Sequence, residues 1–215
     1  QRQMCIRDSY SGGRQDYYKR ESEWALTNGN HPQRLSFTYT YELPLGPGKP
    51  LLQYSDWRRH LIEGWSLSGA TSVISGDPIA LRPQFNNTGG IVPNLRVNVV
   101  PGVDPGVEDA GPELWFNPAA FDQPPDFTAG DASRTHPELR NPSHQNHDVS
   151  VSKRFALATD RAIELSAVGL NFLNHANWNE PDEVIGPSYA PNVNAGRIIG
   201  SRGGRVIQLG LRFSF

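Results

Sequence analysis

The residues able to do chemistry are few and scattered. His136, His144, His147 and Asp148 lie close in sequence, and histidine–carboxylate sets bind first-row metals. Their spacing matches no compact metal motif, and polar loops are rich in such residues. Asp104, Glu108, Asp109 and Glu113 offer oxygen ligands of the kind Ca²⁺ takes. They lack the alternating Asp-x-Asp core with its required glycine, so a solvated acidic loop is the expected role. Glu42 and Glu164 suggest paired carboxylates for acid–base work, yet both fall on polar strand faces, where solvation or an ion pair is ordinary. Serines are plentiful, but the stretch GWSLSG at Gly64 does not have the spacing of a nucleophile elbow. No P-loop and no G-x-G-x-x-G phosphate cradle is present. The single Cys5 leaves no internal disulfide or thiolate cluster. Lys+Arg 20 against Asp+Glu 22 gives a net charge of −2, which provides no basic field for nucleic acid. These residues predict no catalytic group, no metal, no cofactor and no nucleic-acid partner: the chain is not expected to be an enzyme.

The elements that carry these residues are more telling. At the C-terminus every second residue is apolar, Ile207, Leu209, Leu211, Phe213 and Phe215, with Gln208, Gly210, Arg212 and Ser214 between them. A period of two marks a strand with two unlike faces. A soluble domain usually leaves its last residues polar and loosely held. An outer-membrane barrel instead needs strands with one face toward lipid and one toward the lumen. Four more segments alternate in the same way. Strands are predicted near 34–43, 64–76, 147–156, 161–173 and 205–215, each about the 9–11 residues that cross a tilted bilayer. The fourth slips phase near Val168-Gly169, which suggests a β-bulge. Tyr39, Tyr41, Trp65 and Phe155, with Phe213 and Phe215, are expected near strand ends as an interfacial aromatic belt. Lys153 falls on the outward face, where a stem that snorkels costs little.

Gly 21 and Pro 18 argue for many turns, and a mean hydropathy of −0.53 with no apolar run near ~20 residues leaves no candidate membrane helix. Short or moderate connections (44–60, 156–161) alternate with long polar ones (77–147, 174–204), as periplasmic turns alternate with extracellular loops in barrels. The expected fold is therefore all-β: an antiparallel meander forming the C-terminal part of a large transmembrane outer-membrane barrel, with long irregular extracellular loops. Five strands cannot close a barrel, so the chain reads as part of a larger one. Its start carries no charged-then-apolar signal segment. Gln1–Ser9, QRQMCIRDS, resembles translated linker, so residues 1–20 are expected to be non-native or poorly ordered, with a strand remnant at most in 14–26. The barrel portion is expected over 21–215.

With strands placed, the chain resembles the C-terminal portion of Oar-like TonB-dependent receptors, large barrels often preceded by a carboxypeptidase-regulatory-like domain. The matching stretches are EWAL (Glu23–Leu26), HPQRLSF (His31–Phe37), YELPLGPGK (Tyr41–Lys49), GWSLSGATSVISGDP (Gly64–Pro78), ELWFNPAAF (Glu113–Phe121), HDVSVSKRF (His147–Phe155), LNFLNHANW (Leu170–Trp178) and the terminal VIQLGLRFSF. The resemblance implies a bacterial outer-membrane location and energy-coupled transport. Its implied partners are outer-membrane lipid, the barrel-assembly machinery that reads a C-terminal strand ending in Phe, the TonB complex through an N-terminal region with no counterpart here, and an unidentified transported ligand. Two alternatives stand beside it: a surface adhesion or assembly protein, and a soluble carbohydrate-binding β-sandwich.

Overall fold

A computed structural model describes residues 15–16, 18–54, 56–90, 94–157 and 160–215. Cys5 and the linker-like residues 1–9 lie outside them. The chain divides into two compact units: Gln33–Ile74, His144–Asn177 and Gly203–Phe215 form one, and Gln1–Pro32, Ser75–Ser143 and Trp178–Arg202 the other.

The first unit is a five-stranded antiparallel meander: β1 (Arg34–Glu42), β2 (Trp65–Ile74), β3 (His144–Ala156), β4 (Ala162–Leu170) and β5 (Val206–Ser214), paired in chain order. Alternation specifies the register, because a slip of one residue would turn every side chain to the wrong face. Leu165 thus pairs with Lys153 on one side and Leu211 on the other. The expected bulge at Val168-Gly169 is absent. Val168 pairs with Ser150 and Gln208, Gly169 with Val149 and Ile207, and the ladder continues unbroken. The phase slip has a different cause. Gly169 leaves a gap on the apolar face, and Phe172 folds back over it, its Cδ2 2.9 Å from where a Cβ would stand.

Both long connections leave the sheet at one end, where Ile74 faces His144 and Leu170 faces Val206. At the other end Gly64 enters β2 with φ +76, where a Cβ would lie 2.5 Å from the Arg154 carbonyl oxygen; only glycine fits that approach.

The second unit is built from the long connections and the segment before β1. Residues 14–26 supply no strand among the described residues. Arg20–Glu23 forms a 3₁₀ turn, since RESE has no apolar alternation to bury on one face. The loops, expected to be irregular and solvated, enclose a core of their own: Ile79, Leu81, Val97, Phe116, Ala120, Phe121, Ala132, Ile185 and Ala195. Phe116 meets Phe121 edge to face with centroids 6.2 Å apart. Two-residue ladders, Arg82–Pro83 parallel to Val184–Ile185 and Asn98–Val99 antiparallel to Phe121–Asp122, and isolated bridges such as Asp182–Ala195 supply its regular pairing. The rest is stitched by side chains reaching main-chain groups. Arg140 Nη1 donates to the Asn30 and Gly76 carbonyls, Trp115 Nε1 to the Arg140 carbonyl, and Thr135 Oγ1 to the Leu26 carbonyl. Such bonds satisfy backbone groups that no regular ladder reaches.

Candidate functional site

The sheet presents two chemically distinct faces. On one, rows run Tyr39–Gly69–Val149–Gly169–Ile207, Tyr41–Leu67–Val151–Ala167–Leu209 and Trp65–Lys153–Leu165–Leu211, with Phe155–Ile163–Phe213 at the turn end. On the other, Thr40–Ser68–Ser150–Val168–Gln208 and Glu42–Ser66–Ser152–Ser166–Gly210 form rows that are mostly polar and rich in hydroxyls, with Val168 the apolar exception, followed by Arg154–Glu164–Arg212. Ser66 and Ser152 share a hydroxyl–hydroxyl bond of 2.7 Å. The apolar face is uncovered: Leu209 is 83 % and Leu211 73 % exposed. Ile207, Leu209, Leu211 and Phe213 share it; Phe215 follows the end of β5, its ring stacked on that of Phe213 at 5.9 Å.

Tyr41, Trp65 and Phe155 lie toward the turn end of the apolar face. Tyr39 does not. It sits inside β1 opposite Gly69, and its ring covers that glycine, Cζ 2.6 Å from a would-be Cβ. An aromatic laid over a cross-strand glycine fills the face where the sheet lacks a side chain. Lys153 is 3 % exposed although it lies on the apolar face. Its Nζ donates to the Glu63 carbonyl and sits 4.9 Å from the Phe155 ring centroid and 5.6 Å from that of Trp65.

The sequence-marked ligand sets are not assembled. His147 Nδ1 lies 3.1 Å from Thr71 Oγ1 on the apolar face, whereas Asp148 is on the polar face and accepts from Asn146 Nδ2 and the Asn171 amide. His136 Nδ1 accepts the Glu138 and Leu139 amides. Asp104 closes its own turn by accepting the Gly106 amide, and Glu113 pairs with Arg197 at 2.6 Å. Among the described residues no group of three or more His, Cys, Asp and Glu side chains is placed to hold a metal ion. Glu42 and Glu164 stand three strands and two residues apart on the polar face, about 16 Å at the usual strand spacing and rise.

Two titratable groups that the loop unit perturbs, Glu183 and Arg96, escaped the sequence reading, because only packing reveals them. Burial pushes the Glu183 carboxyl up to about 7, against the Ala80 amide it accepts at 3.4 Å; Glu180 and Asp77 push the same way and Arg82 opposes them. Arg96 is 3 % exposed and ion-paired to Glu23 at 2.5 Å. Burial lowers its guanidinium from the usual range, with Glu23 restoring part of the loss. Burial also lowers His136, with Glu138 opposing.

A meander of spanning-length strands, apolar on one face and hydroxyl-lined on the other, is the wall of a membrane barrel. The chain belongs to the outer membrane beta barrel domain family, whose match runs over residues 5–208. No curated protein and no solved structure matches it. It is an outer-membrane protein, associated with outer-membrane lipid, and the soluble β-sandwich alternative falls away.

Proposed function

We propose that this chain is the C-terminal wall of a larger barrel in an Oar-like TonB-dependent receptor, which moves its ligand across the bacterial outer membrane by energy-coupled transport. The observation that carries this reading is the pair of free sheet edges. Among the described residues β1 pairs only with β2, and β5 only with β4. In hydrocarbon each unpaired backbone group costs several kcal/mol, so further strands must continue the sheet until it closes. Single-chain bacterial barrels begin at about 8 strands. Large connections leaving one end of the sheet suit the bulky loops of the receptors these motifs resemble.

In this reading Ile207, Leu209, Leu211, Phe213 and Phe215 face lipid and present the strand that the barrel-assembly machinery reads. Tyr41, Trp65 and Phe155 lie at the periplasmic interface, and the two long connections are extracellular. The TonB complex acts through a region outside this sequence, the transported ligand is unidentified, and the chain performs no covalent chemistry. The test is crosslinking of the full-length parent to the periplasmic domain of TonB in living cells. A crosslink that disappears when the proton gradient is collapsed is expected. A parent that reaches the surface without ever crosslinking fits the adhesion or assembly alternative, which the folded loop unit, a preformed surface for a partner, favours.

A further inference from the structure

Three turns of the loop unit meet. Gln84 covers Gly186, its Oε1 2.5 Å from a would-be Cβ, and the Gln84 amide donates to the Ile185 carbonyl. Gln123 Oε1 accepts the Phe85 amide at 3.0 Å. Asn87, 8 % exposed, donates its Nδ2 to the Pro124 carbonyl at 2.8 Å and also to that of Pro125, and its own carbonyl accepts the Phe127 amide at 2.8 Å. Each turn holds an aromatic outward. Phe85 is 45 %, Phe127 83 % and Tyr189 83 % exposed.

Phe127 has φ +61, a conformation that a bulky residue adopts only under strain and that concentrates at functional positions. The same three turns supply uncharged polar groups: the side-chain Nε2 atoms of Gln84 and Gln123 and the Ser188 hydroxyl. Across 84–90, 123–128 and 186–190 the single charged residue is Asp126. Nucleic acid and anionic lipid call for Lys and Arg, which these turns lack. A pyranose ring has an apolar C–H face and a rim of uncharged hydroxyls. It matches exposed rings interleaved with amides that can both donate and accept.

We propose that these turns bind a neutral oligosaccharide, Phe85, Phe127 and Tyr189 packing on sugar faces while Gln84, Gln123 and Ser188 hydrogen-bond its hydroxyls. The same chemistry is offered by a free glycan and by the sugar chain of lipopolysaccharide. Calorimetric titration of the purified full-length parent in detergent exposes the site whatever its orientation in the membrane, and it does not depend on coupling to TonB. The probes are maltohexaose, cellohexaose, laminarihexaose, xylohexaose and lipopolysaccharide of the host. At least one should bind, and Tyr189→Ala and Phe127→Gly should each weaken it about tenfold or more. Phe127→Gly also relieves the positive φ, so it should melt no lower than the parent while losing the ligand, which a purely structural ring would not do. Binding of a hexaose assigns a free glycan as the source, and binding of lipopolysaccharide alone assigns the outer leaflet. No binding by any probe, or variants that bind as the parent does, overturns the proposal.

Discussion

The two units of this chain solve opposite solvent problems with the same kinds of residue. In the loop unit Ile79, Val97 and Phe116 have no exposed surface, and polar side chains face out or reach back to main-chain groups. In the sheet unit Leu209, Leu211 and Phe213 are exposed, and serines and threonines fill the opposite face. Burial from water drives the first arrangement at roughly 25 cal/mol per Å² of apolar surface. The second makes sense only if the solvent on the apolar side is hydrocarbon, since a soluble protein rarely leaves so large a contiguous apolar patch uncovered. Exposure alone therefore does not rank residues by importance here: the medium on each side decides the sign.

The largest expected effect sharpens this contrast. Phe116→Ala empties the centre of the loop core and should cost about 3–5 kcal/mol locally. On intact cells the 77–147 connection should become protease-sensitive, while heat-modifiable migration of the full-length parent, the signature of a folded barrel, persists. Loss of both together would mean that the sheet depends on the loop core and that the contrast is overdrawn.

Next in size is a charge on the apolar sheet face. Leu209→Arg in the parent should cost about 2–4 kcal/mol if that face meets the bilayer midplane. Gly210→Ser, one residue along, faces the hydroxyl row and requires only that Ser166 Oγ, 2.5 Å from the would-be Cβ, rotate away. Equal folding of the two variants would contradict the assigned faces.

Strand positions were legible because one rule, alternation every second residue, applies along each whole strand. Leu35 to Tyr41 and Ile207 to Phe213 obey it without exception. Departures came where a tertiary contact replaced a side chain. Gly69 under Tyr39 and Gly169 under Phe172 look like weak points in sequence, and the second reads as a bulge. The loop core was illegible for a related reason. Ile79, Val97, Phe116, Phe121 and Ile185 have no common period, and what brings them together is nonlocal bonding by Asn87, Arg140 and Thr135. Spacing encodes strands; it does not encode such stitches. The His147–Asp148 pair is excluded by alternation itself, since adjacent residues of one strand point to opposite faces.

A smaller effect separates the units by pH. Glu183 has a folded pKa of about 7 against an ordinary 4.5, so between those values the folded state holds a proton that the unfolded state has released. Its contribution therefore favours folding at low pH and is lost as pH rises through about 7. His136, lowered by burial, acts with the opposite sign, disfavouring folding as pH falls below 6.5. Glu183→Gln should remove the first dependence, flattening loop-unit protease resistance between pH 5 and pH 8 by less than about 2 kcal/mol after solvent screening. Gln keeps an acceptor for the Ala80 amide, so a resistance that still falls toward pH 8 in the variant would assign the dependence to another group.

The smallest effect falls on Lys153, the one lysine or arginine on the apolar sheet face among the described residues. Water on that side would let the ammonium hydrate freely, and its stem would have no reason to fold under Trp65 and Phe155. The observed geometry instead hides the charge: Nζ donates to the Glu63 carbonyl and lies between the two ring faces. Lys153→Met keeps most of the length of the side chain and loses those contacts, about 0.5–2 kcal/mol for each cation–π pair as it passes from exposed to desolvated. It also relieves a cation held against lipid, which near an interface costs about 0–1 kcal/mol. The two terms oppose each other, so the full-length variant should fold within about 2 kcal/mol of the original. Lys153→Glu keeps a charge but has no donor for the Glu63 carbonyl and meets the electron-rich ring faces with the wrong sign, so it should fold distinctly worse. Measured by urea titration of heat-modifiable migration in liposomes, that order, Lys near Met and both above Glu, is what a lipid-facing wall demands. If Met is clearly worse than Glu, the face meets water and the comparison between the two units collapses.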